Sequence, residues 1–534
     1  MNRSISGLAA CMLCAASAVG AADLSGTVQD AGGKPLAGVF VTARSAARGW
    51  AVSVVSDAQG HYRLPDLAAD SYSLTGARLG HESARVDALK LGASGAQQDL
   101  KLGVATDANA RMPGYAWLAA LPNSEFKARF ITGCTICHDA GAERVRLPKD
   151  HAGWVAAIEM MRNRKLDVYS VIPDFDNNEL ADWLVKNHFG EKPAAVALPD
   201  PAKDATAHAV IREYDVGDAN SWAHDMAVEP ATGAVWVGDY PYDKLIRVDP
   251  DTAAQKVYMI PVKGGGAHTL HFDREGGLWI TLQLADKVVR FDPKTENFKV
   301  YAGFQAGSLI HSFAYDGHGL IQTDKQGRLW MSEFGKNAVA SLDPASGEVR
   351  EYALPGAVGH TYGIALDSHG RAWYTKYNEN IFGMFDPATG KATEKVLPRP
   401  SSAPHRMAID GHDRLWIPLS GYGVLARYDI TADRLEEIPL PEPDTFPYAA
   451  RYDADSDSVW VMGNGASSLY RYWPAAGHFD SYRLPSPISY GRMIAVDYER
   501  GEVWTSLANY PTKHTGRTTA TLVRVGGLAP APGK

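Results

Sequence analysis

The chain has 534 residues, enough for roughly two to four domains, each with a core of its own. Its 45% hydrophobic and 21% charged content is that of a globular protein. A net charge of −8 and the lack of any Lys/Arg-rich run exclude the electrostatic footprint of a nucleic-acid or membrane-surface binder, leaving small molecules and proteins as partners.

Positions 1–22 carry Arg3, an apolar run from Leu8 to Val19 and the small-residue ending Val19-Gly20-Ala21-Ala22, the layout of a cleaved secretory signal. That run is too short to span a bilayer and no later window is long enough, so no transmembrane segment is expected. Export to the periplasm follows. The alternative is a lipoprotein, since Leu8-Ala9-Ala10-Cys11 reads as a lipidation box with few apolar residues ahead of it.

Over 23–104, short alternating stretches such as Gly38-Val39-Phe40-Val41-Thr42 and His61-Tyr62-Arg63-Leu64 lie between Gly, Asp and Pro turns and predict a small antiparallel β-sandwich. Gly38-Val39-Phe40-Val41 with Asp57-Ala58-Gln59-Gly60-His61-Tyr62 resembles the carboxypeptidase regulatory-like module. The resemblance implies a spacer or docking domain that does no chemistry.

The unit at 113–190 is expected to be helical. Residues 124–133 have helical apolar spacing, with Asn123 or Ser124 available as cap, and lead into Cys134-Thr135-Ile136-Cys137-His138. A Cys-x-x-Cys-His run lets two thiols bond to the vinyl groups of a haem while the His reaches the iron. A redox Cys-x-x-Cys or half a zinc site are the rivals, but zinc needs further ligands at matching spacing, and Cys11 and Cys14 fall in the leader. Trp154, Ile158 and Met161 then share one helical face, and residues 177–187 form a last helix expected to pack across the first. The unit resembles c-type cytochromes. That resemblance implies one covalent haem c held by Cys134 and Cys137, with His138 and Met161 on the iron; Met160 and His151 are the other candidates for the sixth position, and core filling is the plain reading of both methionines.

Residues 191–206 are rich in Pro and Ala and read as a linker. Beyond it Trp236, Trp279, Trp330, Trp373, Trp416, Trp460 and Trp504 recur at intervals of 43, 51, 43, 43, 44 and 44 residues, the mark of a β-propeller with one insertion. The last unit lacks an outer strand and Ile211-Arg212-Glu213-Tyr214-Asp215 has no unit of its own, so this stretch is expected to close a seven-bladed ring over 207–527. Text such as Gly363-Ile364-Ala365-Leu366-Asp367-Ser368-His369-Gly370-Arg371-Ala372-Trp373 resembles the virginiamycin B lyase (streptogramin lyase) family. The fold class is therefore multidomain and mainly β: sandwich, α-helical cytochrome c domain and seven-bladed propeller.

Stepping five residues back from the acidic residue that precedes each Trp gives the start of each inner strand, nearest the channel: His224, His268, Gly319, Tyr362, His405, Tyr448 and Arg492. His311 starts the inserted stretch. Imidazoles in register can hold a metal or act as general bases, Tyr362 and Tyr448 can donate hydrogen bonds, and Arg492 can hold an anion. A water-filled polar channel is the plain alternative. The lyase resemblance implies histidines and a glutamate with magnesium on the central face, and the nearest carboxylate is Glu333. Together these features suggest a periplasmic oxidoreductase or electron-transfer protein whose propeller binds a small-molecule substrate and whose haem passes electrons to a redox partner protein. A streptogramin-type lyase with an accessory haem, or a haem-bearing binding or sensor scaffold, are the alternatives, and an additional metal in the channel stays open.

Overall fold

A computed structural model describes residues 21–109, 111–135, 139–163, 176–356, 360–486, 488–508 and 519–532. The fold is multidomain and mainly β. Seven four-stranded antiparallel blades surround one axis, their inner strands beginning at Ala223, Ala267, Ile310, Thr361, Ala408, Pro447 and Gly491. The spacing of the tryptophans has a local cause. In blades 2 to 5 the indole N–H donates to an aspartate six residues back, as Trp279 does to Asp273 at 2.8 Å and Trp416 to Asp410 at 2.9 Å. The same aspartates accept turn amides, so each fixes a turn and a core side chain at once.

In blades 1, 6 and 7 the separation is seven residues, and side-chain length decides the outcome. Glu229, one methylene longer, still reaches Trp236 at 3.1 Å. Asp453 and Asp497 do not reach, and the indole nitrogens of Trp460 and Trp504 are buried without a partner.

Closure happens as the sequence suggests. Val210–Val216 pairs antiparallel with Ala520–Gly526 as the fourth strand of blade 7, tying the start of the propeller to its end. Its other edge is covered too: Ile211–Tyr214 pairs with Trp50–Ser53 of the N-terminal sandwich, so blade 7 and one sandwich sheet form a continuous eight-stranded sheet. The closing strand therefore has no free edge, and Arg44 reaches across the seam to Asp215.

The insertion in the third unit is a plug. After Ile310–Phe313 the chain crosses the channel, and the Tyr315 hydroxyl donates to the carbonyl of Ala450 at 3.1 Å in blade 6. The Ile321 amide donates to Phe272 in blade 2 at 2.8 Å, and the Gly317 carbonyl accepts from Tyr498 in blade 7 at 2.6 Å. The far end of the channel is thereby closed.

Among the described residues, five helices cover the near end: α1 (Gly114–Leu118), α2 (Glu125–Cys134), α3 (Glu143–Arg146), α4 (His151–Asn163) and α5 (Asn177–Lys186). Ser124 caps α2, its Oγ accepting from the Lys127 amide at 3.1 Å. Helices α2 and α5 pack through Phe126 and Phe130 against Trp183, with ring centroids 4.9 and 5.8 Å apart. On α4, Trp154 and Ile158 are buried, Met161 is half-buried on the same face, and Met160 is 46% exposed. No helix among the described residues is long and apolar enough to cross a membrane.

Candidate functional site

One side chain from each blade meets at the near end of the channel: His224, His268, His311, Tyr362, His405, Tyr448 and Arg492. Consecutive aromatic rings lie 3.9, 4.2, 4.0, 4.2 and 3.9 Å apart between centroids from His224 round to Tyr448. Arg492 closes the circle, one guanidinium nitrogen 3.1 Å from the Tyr448 hydroxyl and 3.5 Å from His224 Nε2. The Tyr362 and Tyr448 hydroxyls are 2.9 Å apart, and all seven residues are buried.

Six members are those that counting back from the acidic residue finds. The third is not. Gly319 lies in the plug, and the ring position of blade 3 belongs to His311. The insertion carries two aspartate turns, Asp316 and Asp324; counting from Asp316 gives His311, whereas Asp324 is the one that accepts from Trp330. Choosing the aspartate that follows the inner strand would have found it.

The ring is a set of neutral acceptors beside a fixed cation. Burial pulls the His224 imidazolium down to about 4, and burial holds His268, His311 and His405 well below 6.5 as well. Nδ1 of His224 faces Asp225 Oδ1 at 3.1 Å and the His268 carbonyl at 3.2 Å, both acceptors, so Nδ1 carries the proton and Nε2 is the lone-pair nitrogen towards Arg492. Burial, then the neighbouring Tyr448, push the Tyr362 phenol well above 10, keeping it a donor. Neither nitrogen of His405, nor Nε2 of His311, has a well-formed hydrogen bond. His224, Asp225 and His268 place ligand atoms within 4.8 Å of one another, the described cluster able to hold a metal ion. Asp225 is already engaged: Arg406 reaches it from blade 5 across the axis at 2.6 Å.

Glu333 lies outside the ring. Its charged neighbours are Glu351, Lys336 and Asp286, and burial first, then Glu351, raise its carboxyl to about 9. A carboxyl that keeps its proton when folded costs stability as pH rises from its ordinary value near 4.5 towards 9, by up to about 1.4 kcal/mol per pH unit. Glu333→Gln is expected to flatten the fall in unfolding free energy across that window and to be the more stable form at pH 8, as urea titrations at several pH values will read.

The helical unit sits directly over the ring. Trp222, Tyr240, Phe334, Tyr377, Phe446 and Tyr490 form an aromatic collar above it and share one apolar cluster with Trp117, Phe130, Ile131, Trp154, Leu180 and Leu184 of the cap. The Tyr377 hydroxyl donates to the Thr132 carbonyl of α2 at 2.8 Å, while its ring is 5.2 Å from that of His405. Lys127 of α2 is buried against Asp444 at 2.6 Å. Cys134, the last residue of α2, is half-buried against the same cluster; Cys137 and His138 lie outside the described residues. His151 is turned to the surface, 3.4 Å from Asp182.

The two stacked layers, ring and collar, define a propeller whose central ring is capped by helices. The family model of the virginiamycin B lyase family matches residues 204–428 and 320–512, together more than half of the chain, and the chain belongs to that family. The carboxypeptidase regulatory-like domain model matches residues 23–105. Among solved structures, a streptogramin B lyase is similar with 20% identity and a TM-score of 0.51 over 61% of this chain and 99% of its own. A catalytically inactive virginiamycin B lyase from Staphylococcus aureus, solved with quinupristin, has 20% identity and a TM-score of 0.50 over 59% and 99%. At this identity the likeness is one of fold. A comparison with curated proteins finds no match.

Proposed function

We propose that the capped ring is a small-molecule active site in an exported, periplasmic member of this family, and that the cap carries one haem c, which makes the protein an oxidoreductase. The observation that supports this reading is the placement of α2: the helix that ends in Cys134 is tied through Thr132 to Tyr377, which itself packs on His405. The described donors suit the group. Cys134 offers a half-buried thiol beside an apolar, aromatic cluster, and Met161 offers a half-buried thioether at helical spacing from the buried Trp154 and Ile158 of α4. Bound there, a haem c supplies one-electron exchange with a redox partner protein.

The chain's own residues do the rest. Arg492 and the phenols of Tyr362 and Tyr448 hold an electron-rich oxygen of the substrate, and neutral His405 and His311 accept a proton from it. The collar and the plug keep bulk water from both ends. Stopped-flow spectra of the purified protein with phenolic and other oxidisable probes test this. Haem reduction driven by a probe, and its loss by at least a hundredfold in His405→Ala with an unchanged resting spectrum, is the expected result; a haem that no probe reduces or oxidises overturns it.

A second reading is a streptogramin-type lyase with an accessory haem, and family membership speaks for it more directly than for the first. The His224, Asp225 and His268 cluster adds a specific place for a metal. Turnover of a streptogramin with the haem spectrum unmoved, dependent on a divalent cation, would decide for it; absence of both activities leaves the binding scaffold.

A further inference from the structure

The inner strands start at the ring and end, about five residues on, at the acidic turns, roughly 16 Å away at 3.3 Å per residue. At that far end, between the plug and blades 1, 2, 6 and 7, lies a cavity of about 240 Å³. It is separated from the ring by Arg406, Asp225 and Tyr315, and the function proposed above makes no use of it. Its floor is apolar, from Met226, Phe272, Leu320, Met493 and Ile494.

Two polar side chains in its wall each keep one buried nitrogen without a hydrogen bond, Arg451 Nε and His271 Nε2. Arg451 is 3% exposed, and among the described residues no carboxylate lies within ion-pair distance of it. Its guanidinium lies over Tyr315, 5.1 Å from the ring centroid, with the Tyr498 hydroxyl beside it. Gly319 is shaped to admit it: φ is +76° there, and a Cβ would stand 2.0 Å from an Arg451 terminal nitrogen. A buried cation without an anion is costly, so this one is built for an anion that the chain does not provide. The nearby acids are engaged elsewhere, Asp497 with Arg500 at 3.1 Å and Glu229 with Trp236, while Glu499 is exposed at the rim.

His271 supplies the complement. It stacks on Tyr315 at 4.4 Å, and its Nδ1 lies 3.0 Å from the Gly319 carbonyl, which can only accept. Nδ1 therefore carries the proton, and Nε2, enclosed beside the cavity and without a hydrogen bond, is the lone-pair nitrogen that a small turn of the ring presents to a donor.

We propose that this cavity is a second binding site, for a small organic acid that carries a hydroxyl: the carboxylate on Arg451, the hydroxyl donating to His271 Nε2, and an apolar ring over Met226, Phe272 and Met493. The site is independent of the haem and of the chemistry at the ring. Calorimetric titration of the full-length protein with 3- and 4-hydroxybenzoate, benzoate and 4-hydroxybenzamide tests it. One hydroxybenzoate is expected to bind once per chain, at least tenfold tighter than benzoate, which lacks the donor, and than the amide, which lacks the charge. Arg451→Gln should weaken it at least tenfold, and Leu320→Trp, which fills the cavity and leaves Arg451 in place, should abolish it, whereas His405→Ala at the ring should not. No saturable binding at millimolar concentration, equal binding of acid and amide, or binding that survives Leu320→Trp overturns the proposal; if Arg451→Gln does not fold, the Leu320→Trp result decides.

Discussion

Arg406→Met is expected to lower the unfolding free energy by about 3–5 kcal/mol, the usual cost of removing one partner of a buried ion pair. Asp225 is fully buried, and the guanidinium 2.6 Å away is the cation that compensates it. Burial alone would raise the Asp225 carboxyl; Arg406, then His224, reverse this and hold it below 3.8. Without Arg406 the site must keep an unpaired carboxylate in a dry channel or take up a proton. The cost is therefore the stranded charge more than the lost bond. Arg406→Met with Asp225→Asn should recover a large part of the loss, because the second change removes that charge. Denaturation midpoints of the two singles and the double read the coupling. A single variant as stable as the parent would mean that Asp225 finds water or another cation. The depressed carboxyl also gives a sign: this stabilisation is present above pH 3.8 and fades as pH falls through the lower folded value.

The same ion pair marks the limit of what a sequence discloses. Asp225 and Arg406 each follow the ring residue of their blade, yet they stand 181 residues apart and the repeat does not say which blades oppose; only closure of the ring puts blades 1 and 5 face to face. The blades themselves were legible because each repeats a local device, an aspartate that fixes a turn and an indole together. The closing strand was legible by subtraction, as a strand without a unit facing a unit short of a strand. Six of seven ring positions followed from the same repeat, and His311 was displaced by the second aspartate turn of the insertion. The seam between Trp50–Ser53 and Ile211–Tyr214 was not legible, since pairing of two edges depends on shape in three dimensions and leaves no pattern in either strand. Nor was the position of the cap. Trp154 and Ile158 read as one face of a helix, and nothing in the repeat marked the collar residues as its partners. Only their packing together places Cys134 above the ring.

On the proposed haem reading, replacing Cys134 and Cys137 by serine should remove all covalently bound iron from the purified protein. Produced in a host with haem-attachment machinery, the parent is expected to be coloured, to carry one iron per chain, and to exceed its leader-free mass by one haem; the double serine variant should be colourless at the bare mass. Fold is not expected to be lost with it, because α2 is held independently by the Ser124 cap, the Lys127–Asp444 pair and the Tyr377–Thr132 hydrogen bond. Retained binding of a hydroxybenzoate at the far cavity would verify that. The two methionines then separate by position. Met161 is half-buried on the helix face of Trp154 and Ile158, and Met160 is 46% exposed, so Met161→Leu should alter the visible spectrum and lower the reduction potential, as loss of a thioether ligand does, while Met160→Leu should change neither. A change in Met160→Leu alone would put the other sulfur on the iron. A colourless parent at its bare mass would remove the electron outlet altogether, and the ring would then have to work by the proton chemistry of its histidines or by a metal held at His224, Asp225 and His268.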